Sequence, residues 1–97
     1  MQFVVTALDY TDEGALQRRL DNREAHLAGI RELVAQGRIL SGGAILNDDG
    51  KMIGSSMHVD FPDREALEKC LQRDPYVAGR VWEKFDIKRA MILPPQK

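Results

Sequence analysis

The residues of this 97-residue chain that can do chemistry are few: two histidines, one cysteine, and an acid set directly before a proline in the stretch RDPYVAGRVW, Arg73 to Trp82. His26 keeps the most suggestive company. Arg23 stands three residues before it in a segment of helical periodicity, and side chains three apart on a helix point into one region. An imidazole can give or take a proton near neutral pH, and a guanidinium can bind a carboxylate or a polarised oxygen beside it. On a helical wheel of about 100° per residue, Leu16, Leu20, Leu27, Ile30 and Val34 share a narrow arc, with Arg23 in its middle and His26 on its flank. A guanidinium cannot be neutralised, so Arg23 either snorkels to the edge, joins a structural ion pair, or recognises an anion at a cleft. His26 is correspondingly a helix-face residue without a task or a member of that cleft.

Asp74 is the second candidate. A residue before proline is steered out of the helical conformation, so Asp74 marks the end of a helix, Pro75 fixes a turn, and Tyr76 begins a compact segment through Gly79. This is a plain helix stop, or a device that carries an acid toward Arg23 and His26. Ser55 is the third. It shares the alternation of Ile53 and Met57, an apolar face where a hydroxyl needs a partner. It is a satisfied core serine or a ligand contact, and Gly54 beside it signals a bulge or a close approach by another group. Cys70 lies within a helical segment far from either histidine in sequence and reads as a small buried hydrophobe rather than a nucleophile.

The elements that must position these groups follow from pattern and punctuation. Phe3 to Leu8 is rich in β-formers and apolar on both faces, as a central strand would be. Thr11 and Asp12 are candidate caps for a helix running to about Gln36, with Gly37 as its stop. Ile39 to Leu46 forms a strand carrying Gly42 and Gly43. Asn47-Asp48-Asp49-Gly50 is a turn by its chemistry, so Met52 to Phe61 returns as a hairpin strand. Asp63 caps a helix to about Gln72, and a last strand runs from about Glu83 to Ile92. Pro94 and Pro95 leave a short tail, 94–97, expected to be mobile. The order β-α-β-β-α-β predicts an α+β, ferredoxin-like domain: a four-stranded antiparallel sheet with both helices on one face. The other face, where His58 and Asp60 point, is left open, and homodimerisation through it would bury more area in so small a chain.

Composition narrows the function. The chain is one domain by length, 1–97, with a formal net charge of −1 and interspersed charges. It has no basic stripe of the kind that tracks phosphates, and Arg18–Arg19 reads as a solvated helix face, so no nucleic-acid partner is expected. No run approaches the roughly 20 apolar residues of a membrane span, and the N-terminus lacks a signal-peptide pattern. With a single cysteine there is no intrachain disulfide, and a reducing cytoplasm is the natural setting. Two histidines at unrelated positions do not make a zinc site, and no metal or other cofactor is expected.

Taken in order, Arg23-Glu24-Ala25-His26-Leu27, Gly37, Ser41-Gly42-Gly43, Gly54-Ser55 and Asp74-Pro75-Tyr76 resemble the YCII-related (YciI-like) family of small dimeric ferredoxin-like proteins. The resemblance covers nearly the whole chain; it departs at Ala44, where members often carry proline. It implies a dimeric α+β barrel-like assembly and an active site built on a histidine–aspartate pair, here His26 and Asp74. Some members resemble lyases that eliminate halide from chlorinated ring compounds. In such a site Asp74 would fix the imidazole tautomer and His26 would act as general acid or base, with Arg23, Ser55, Gly54 and Tyr76 about the substrate. The expected protein is thus a cofactor-independent lyase-like or isomerising enzyme acting on a small anionic or quinone-like metabolite. The alternative is a non-catalytic dimeric module that binds or senses a small ligand. Heme chemistry on the related barrel architecture rests on fold analogy alone and ranks last.

Overall fold

Side chains alternate along the first strand, and that alternation divides the sheet into a covered and an open face. The computed structural model describes residues 1–93, and the expected tail, 94–97, lies outside the described residues. In β1 (Gln2–Asp9), Phe3, Val5, Ala7 and Asp9 are buried while Gln2, Val4 and Thr6 are only half-buried. The chain continues through α1 (Ala15–Ala35), β2 (Ile39–Leu46), β3 (Met52–Asp60), α2 (Arg64–Gln72), the single turn α3 (Pro75–Ala78) and β4 (Trp82–Arg89). The strands form one antiparallel sheet in the order β2-β3-β1-β4, and β1 is central as its composition predicts. The helices cover one face, giving the expected ferredoxin-like α+β fold. Between them lies a core led by Phe3, Val5, Val59, Leu67, Tyr76 and Val81.

Local chemistry sets the boundaries. Gly37, at φ 76°, adopts the left-handed conformation that closes α1, and paired bonds from Gly37 N–H to the Val34 carbonyl and Arg38 N–H to the Leu33 carbonyl complete the stop. The Asn47 side chain accepts from the N–H groups of Asp49 and Lys51 and turns β2 into β3. Asp63 caps α2 by accepting from Ala66 N–H. At the start of α1 the expected cap is displaced: Gly14 occupies the capping position, Asp12 accepts from Gly14 N–H, and its carboxylate holds Arg18 at 2.7 Å. The Arg18 hydrogen bonds hold the Asp12 carboxyl down at about 2. β4 begins one residue earlier and ends three residues sooner than expected.

The largest difference from the expectation lies in α1. Its buried line runs through Ala15, Arg19 and His26, with Asn22, Ile30 and Leu33 half-buried beside it. That line is about a quarter turn of the wheel away from the leucine arc. Leu20 and Val34 are 48% and 52% exposed, and Arg23, expected at the centre of the buried stripe, is exposed. Arg19, expected on a solvated face, is 3% exposed. The inversion has a physical reason: β1 supplies a buried carboxylate at Asp9, so a guanidinium on the core side of α1 finds a partner that no apolar pattern reveals. Ile53, expected on the covered face, sits 40% exposed near the start of β3, where its pairing with β2 shifts register.

Gly54 is explained by crowding. A Cβ there would lie 2.6 Å from the Ala7 carbonyl oxygen of the neighbouring strand. Because the obstacle is backbone, β1 and β3 would have to part. Gly54→Ala should lower stability by about 1–3 kcal/mol, read as a reduced urea midpoint; an unchanged midpoint would contradict the close approach.

Candidate functional site

The proline after α2 builds the first half of the site. Asp74 is held extended at φ −68° and ψ 137°, and its carboxylate accepts from Tyr76 N–H, capping the turn that Pro75 starts. The same carboxylate lies 2.9 Å, through each of its oxygens, from Nδ1 of His26 on α1. An ionised carboxylate only accepts, so Nδ1–H is the donor to it, and in the neutral ring the other nitrogen, Nε2, carries the lone pair. Tyr76 lies against the ring face to face, centroids 3.9 Å apart at 9°, and Trp82 meets it edge-on at 5.4 Å. Asp74 and Tyr76, two residues apart, thus fix the imidazole by an edge and by a face. The side chains of His26 and Asp74 are 10% and 12% exposed, so that pair is sheltered without being sealed.

The second half is a buried polar chain beneath it. Arg19 donates from one terminal nitrogen to both oxygens of Asp9, at 2.8 and 2.9 Å, and from the other to the Ser55 hydroxyl oxygen at 2.8 Å. Trp82 Nε1–H donates to the same oxygen at 3.1 Å. The Arg19 guanidinium carbon stands 4.9 Å from the Tyr76 ring centroid, which links the two halves. Burial pushes the Asp9 carboxyl up, against the pull of its bonds to Arg19, and burial likewise raises the Tyr76 phenol. Arg19 Nε is buried without a hydrogen-bond partner among the described residues. Half-buried Cys70, whose thiol burial also pushes up, stands apart from this chain.

A cavity of about 260 Å³ opens between α1 and the β2–β3 hairpin, bounded by Arg19, His26, Ser55 and Tyr76. Leu27, Ile30 and Met57 make its apolar wall, Ser41-Gly42-Gly43-Ala44 its strand side, and exposed Arg23 borders it from α1. Five of the six residues singled out in the sequence therefore gather there: His26, Asp74 behind it, Ser55, Tyr76 and Arg23. Gly54 does not line the cavity and faces β1. Asp9, Arg19 and Trp82 were missed as site residues. Their signals were present: Asp9 continues the inward alternation of Phe3, Val5 and Ala7, and Arg19 falls two helical turns before His26. A larger groove of about 720 Å³ between α2 and β4 is rimmed by charges that pair along α2, Arg64 with Glu68 and Lys69 with Glu65, and contains neither His26 nor Asp74.

Fold and site together define a small α+β protein with a largely apolar, polar-floored cavity beside a sheltered histidine and aspartate. The YCII-related domain matches residues 1–91, and the chain belongs to that family. It is 36% identical over 94 residues to protein YciI of Escherichia coli and, equally, of Shigella flexneri, spanning 91% of this chain and 94% of each relative. Its backbone is also similar, with a TM-score of 0.81 and 28% identity over 94% of both chains, to 5-chloro-2-hydroxyhydroquinone dehydrochlorinase from Burkholderia phenoliruptrix in complex with 2,5-dihydroxybenzoquinone.

The buried pair under the cavity makes a stability prediction. Asp9→Ala strands the Arg19 charge and should cost about 3–5 kcal/mol, whereas Asp9→Leu combined with Arg19→Met should recover most of that loss. Urea unfolding of the two variants beside the wild type checks it, and a wild-type midpoint for Asp9→Ala would show that the pair does not hold the floor.

Proposed function

We propose that the chain is a cofactor-independent enzyme that eliminates from, or isomerises, a small quinone-like or anionic ring compound, with His26 and Asp74 as its acid–base pair. The observation that carries this reading is the orientation of His26. One nitrogen is tied to Asp74 and the ring is stacked on Tyr76, which leaves Nε2 for a molecule in the cavity. The cavity suits a single ring by size, and the family relative bound to a quinone supports that substrate class.

Loss of HCl from a chlorinated hydroxyhydroquinone needs no oxidant. Two hydroxyl protons leave their oxygens, and the O–H electron pairs become ring carbonyls. One proton is delivered to the chlorine-bearing carbon, and the other leaves with the chloride. Proton removal and return at neighbouring positions is work that one imidazole can do in both directions. Asp74 keeps the proton on Nδ1, so Nε2 accepts first and donates later. Arg23, at the border of the cavity, is placed to meet a ring oxyanion. The lone, half-buried Cys70 fits a reducing cytoplasm, and among the described residues no helix is long and apolar enough to cross a membrane.

The test is chloride release from 5-chloro-2-hydroxyhydroquinone. The wild type should release it above the uncatalysed rate, and His26→Gln should lose about 10²–10⁴-fold in kcat while keeping the wild-type circular dichroism. Undiminished turnover in His26→Gln would overturn the acid–base role. Binding without turnover, unaffected by the same substitution, would instead make the protein a ligand-binding module. We further propose that two copies associate through the open sheet face, where Val4, Thr6 and His58 are only half-buried. Light scattering at micromolar concentration should then give twice the 11.0 kDa chain mass; a monomeric mass rules this out.

A further inference from the structure

Met91 and Leu93 are the barest large apolar side chains among the described residues, 95% and 88% exposed. Their backbone is nevertheless anchored. After β4 the chain is tied to the start of β1, with Ala90 N–H bonded to the Gln2 carbonyl and Ile92 N–H to Gln2 Oε1. Ala90 and Ile92 are half-buried on this arm, and the two residues alternating with them look outward. Apolar groups presented together on anchored backbone mark a contact surface. The cavity has a matching bare rim. Val34, on its α1 wall, is 52% exposed, and Leu40, beside the register shift between Ile39 and Ser41, is 39% exposed. Arm and rim lie at one end of the sheet, where Phe3 pairs with Arg89 of β4 and with Val59 of β3, and Val59 pairs with Ile39 of β2. Within one copy they sit at opposite edges, because the order β2-β3-β1-β4 sets β2 and β4 three strand spacings apart, roughly 14 Å.

A second copy brings them together. Two open faces meet about a two-fold axis that lies between the sheets. When the axis runs along the strands, strand direction is kept and each β4 lies over its partner's β2. The arm of one copy then arrives at the Val34 and Leu40 rim of the other. An axis across the strands leaves both surfaces in water. Charge agrees with the first arrangement. The open-face residues of β2, namely Ser41, Gly43 and Ile45, carry no charge, and a hollow of about 330 Å³ lies where Ser41 and Gly43 adjoin Ser56 and His58. Lys84, Asp86 and Lys88 of β4, on the same face as Leu8, Thr6 and Val4, find room there and no like charge on β2.

We infer that the arm of each copy covers the cavity mouth of the other, with Met91 and Leu93 completing its apolar wall. This rests on the association through the open sheet face proposed above. Leu27 and Ile30 line the cavity from α1 beside Val34, so the apolar wall of one chain continues into the other. The acid–base pair and its enclosure then come from different chains, and a single copy holds an incomplete site.

Isotope-filtered NOE spectroscopy on an equal mixture of ¹³C-labelled and unlabelled wild type detects only contacts between copies. Cross-peaks from the methyl groups of Met91 and Leu93 to those of Val34 and Leu40 are expected. A dimer by light scattering that lacks these cross-peaks overturns the placement of the arm and leaves association through the sheet standing; a monomer overturns both. Met91→Ser combined with Leu93→Ser changes side chains that one copy leaves in water, so its circular dichroism should match the wild type. Calorimetry should show this variant binding 2,5-dihydroxybenzoquinone about tenfold more weakly, and equal affinity overturns the inference. If the wild type takes up no quinone, the proposed substrate class falls and the cross-peaks alone decide the arm.

Discussion

Pro75 denies Asp74 a helical conformation, and the arrangement of the site follows from where that leaves one carboxylate. Asp74 stays extended at the end of α2, caps the turn that follows, and meets His26 across the layer. The cap sets the direction of Tyr76, whose ring supports the imidazole from its face. A single local constraint therefore orients a side chain 48 residues away in sequence. An ion pair between long flexible side chains could not do this as well, because each would lose rotamer freedom on pairing. Here the groups are short or planar, and the backbone carries the precision.

Beneath the imidazole the fold accepts a cost. Arg19 and Asp9 are a charged pair within the layer that apolar residues elsewhere fill, and an apolar pair of similar volume would often be as stable or more so. The pair does hold Ser55 and Trp82 in fixed relation to the cavity. Polar networks with few alternative partners rigidify what they touch. A floor of leucines would pack, but it would not tie these two side chains to one position. This is the pattern expected where a protein departs from ordinary core rules at a site of use.

The fold was legible because its signals are local. Gly37, the Asn-Asp-Asp-Gly turn, Asp63 and Pro75 each act on neighbouring backbone, and each does in the structure what its chemistry implies. The site was legible in part for the same reason: Asp74 and Tyr76 are placed by the proline beside them. The helix face was misread because apolar content stands in for burial only when core positions are apolar. In α1 the core-facing line carries Arg19, Asn22 and His26, while Leu20 and Val34 look outward. The partner that makes Arg19 tolerable comes from β1, and no property of the helix alone announces it. The partners of Ser55 were hidden more deeply, since Arg19 and Trp82 reach it from other elements.

The tautomer of His26 is the most direct measure of whether the Asp74 segment governs the site. Long-range ¹⁵N–¹H correlation of the neutral imidazole distinguishes a proton on Nδ1 from one on Nε2. The proton is expected on Nδ1, with Nε2 showing the signature of a free lone pair. A proton on Nε2 would mean that Asp74 does not hold the ring, and that the side of His26 facing the cavity is a donor rather than a base.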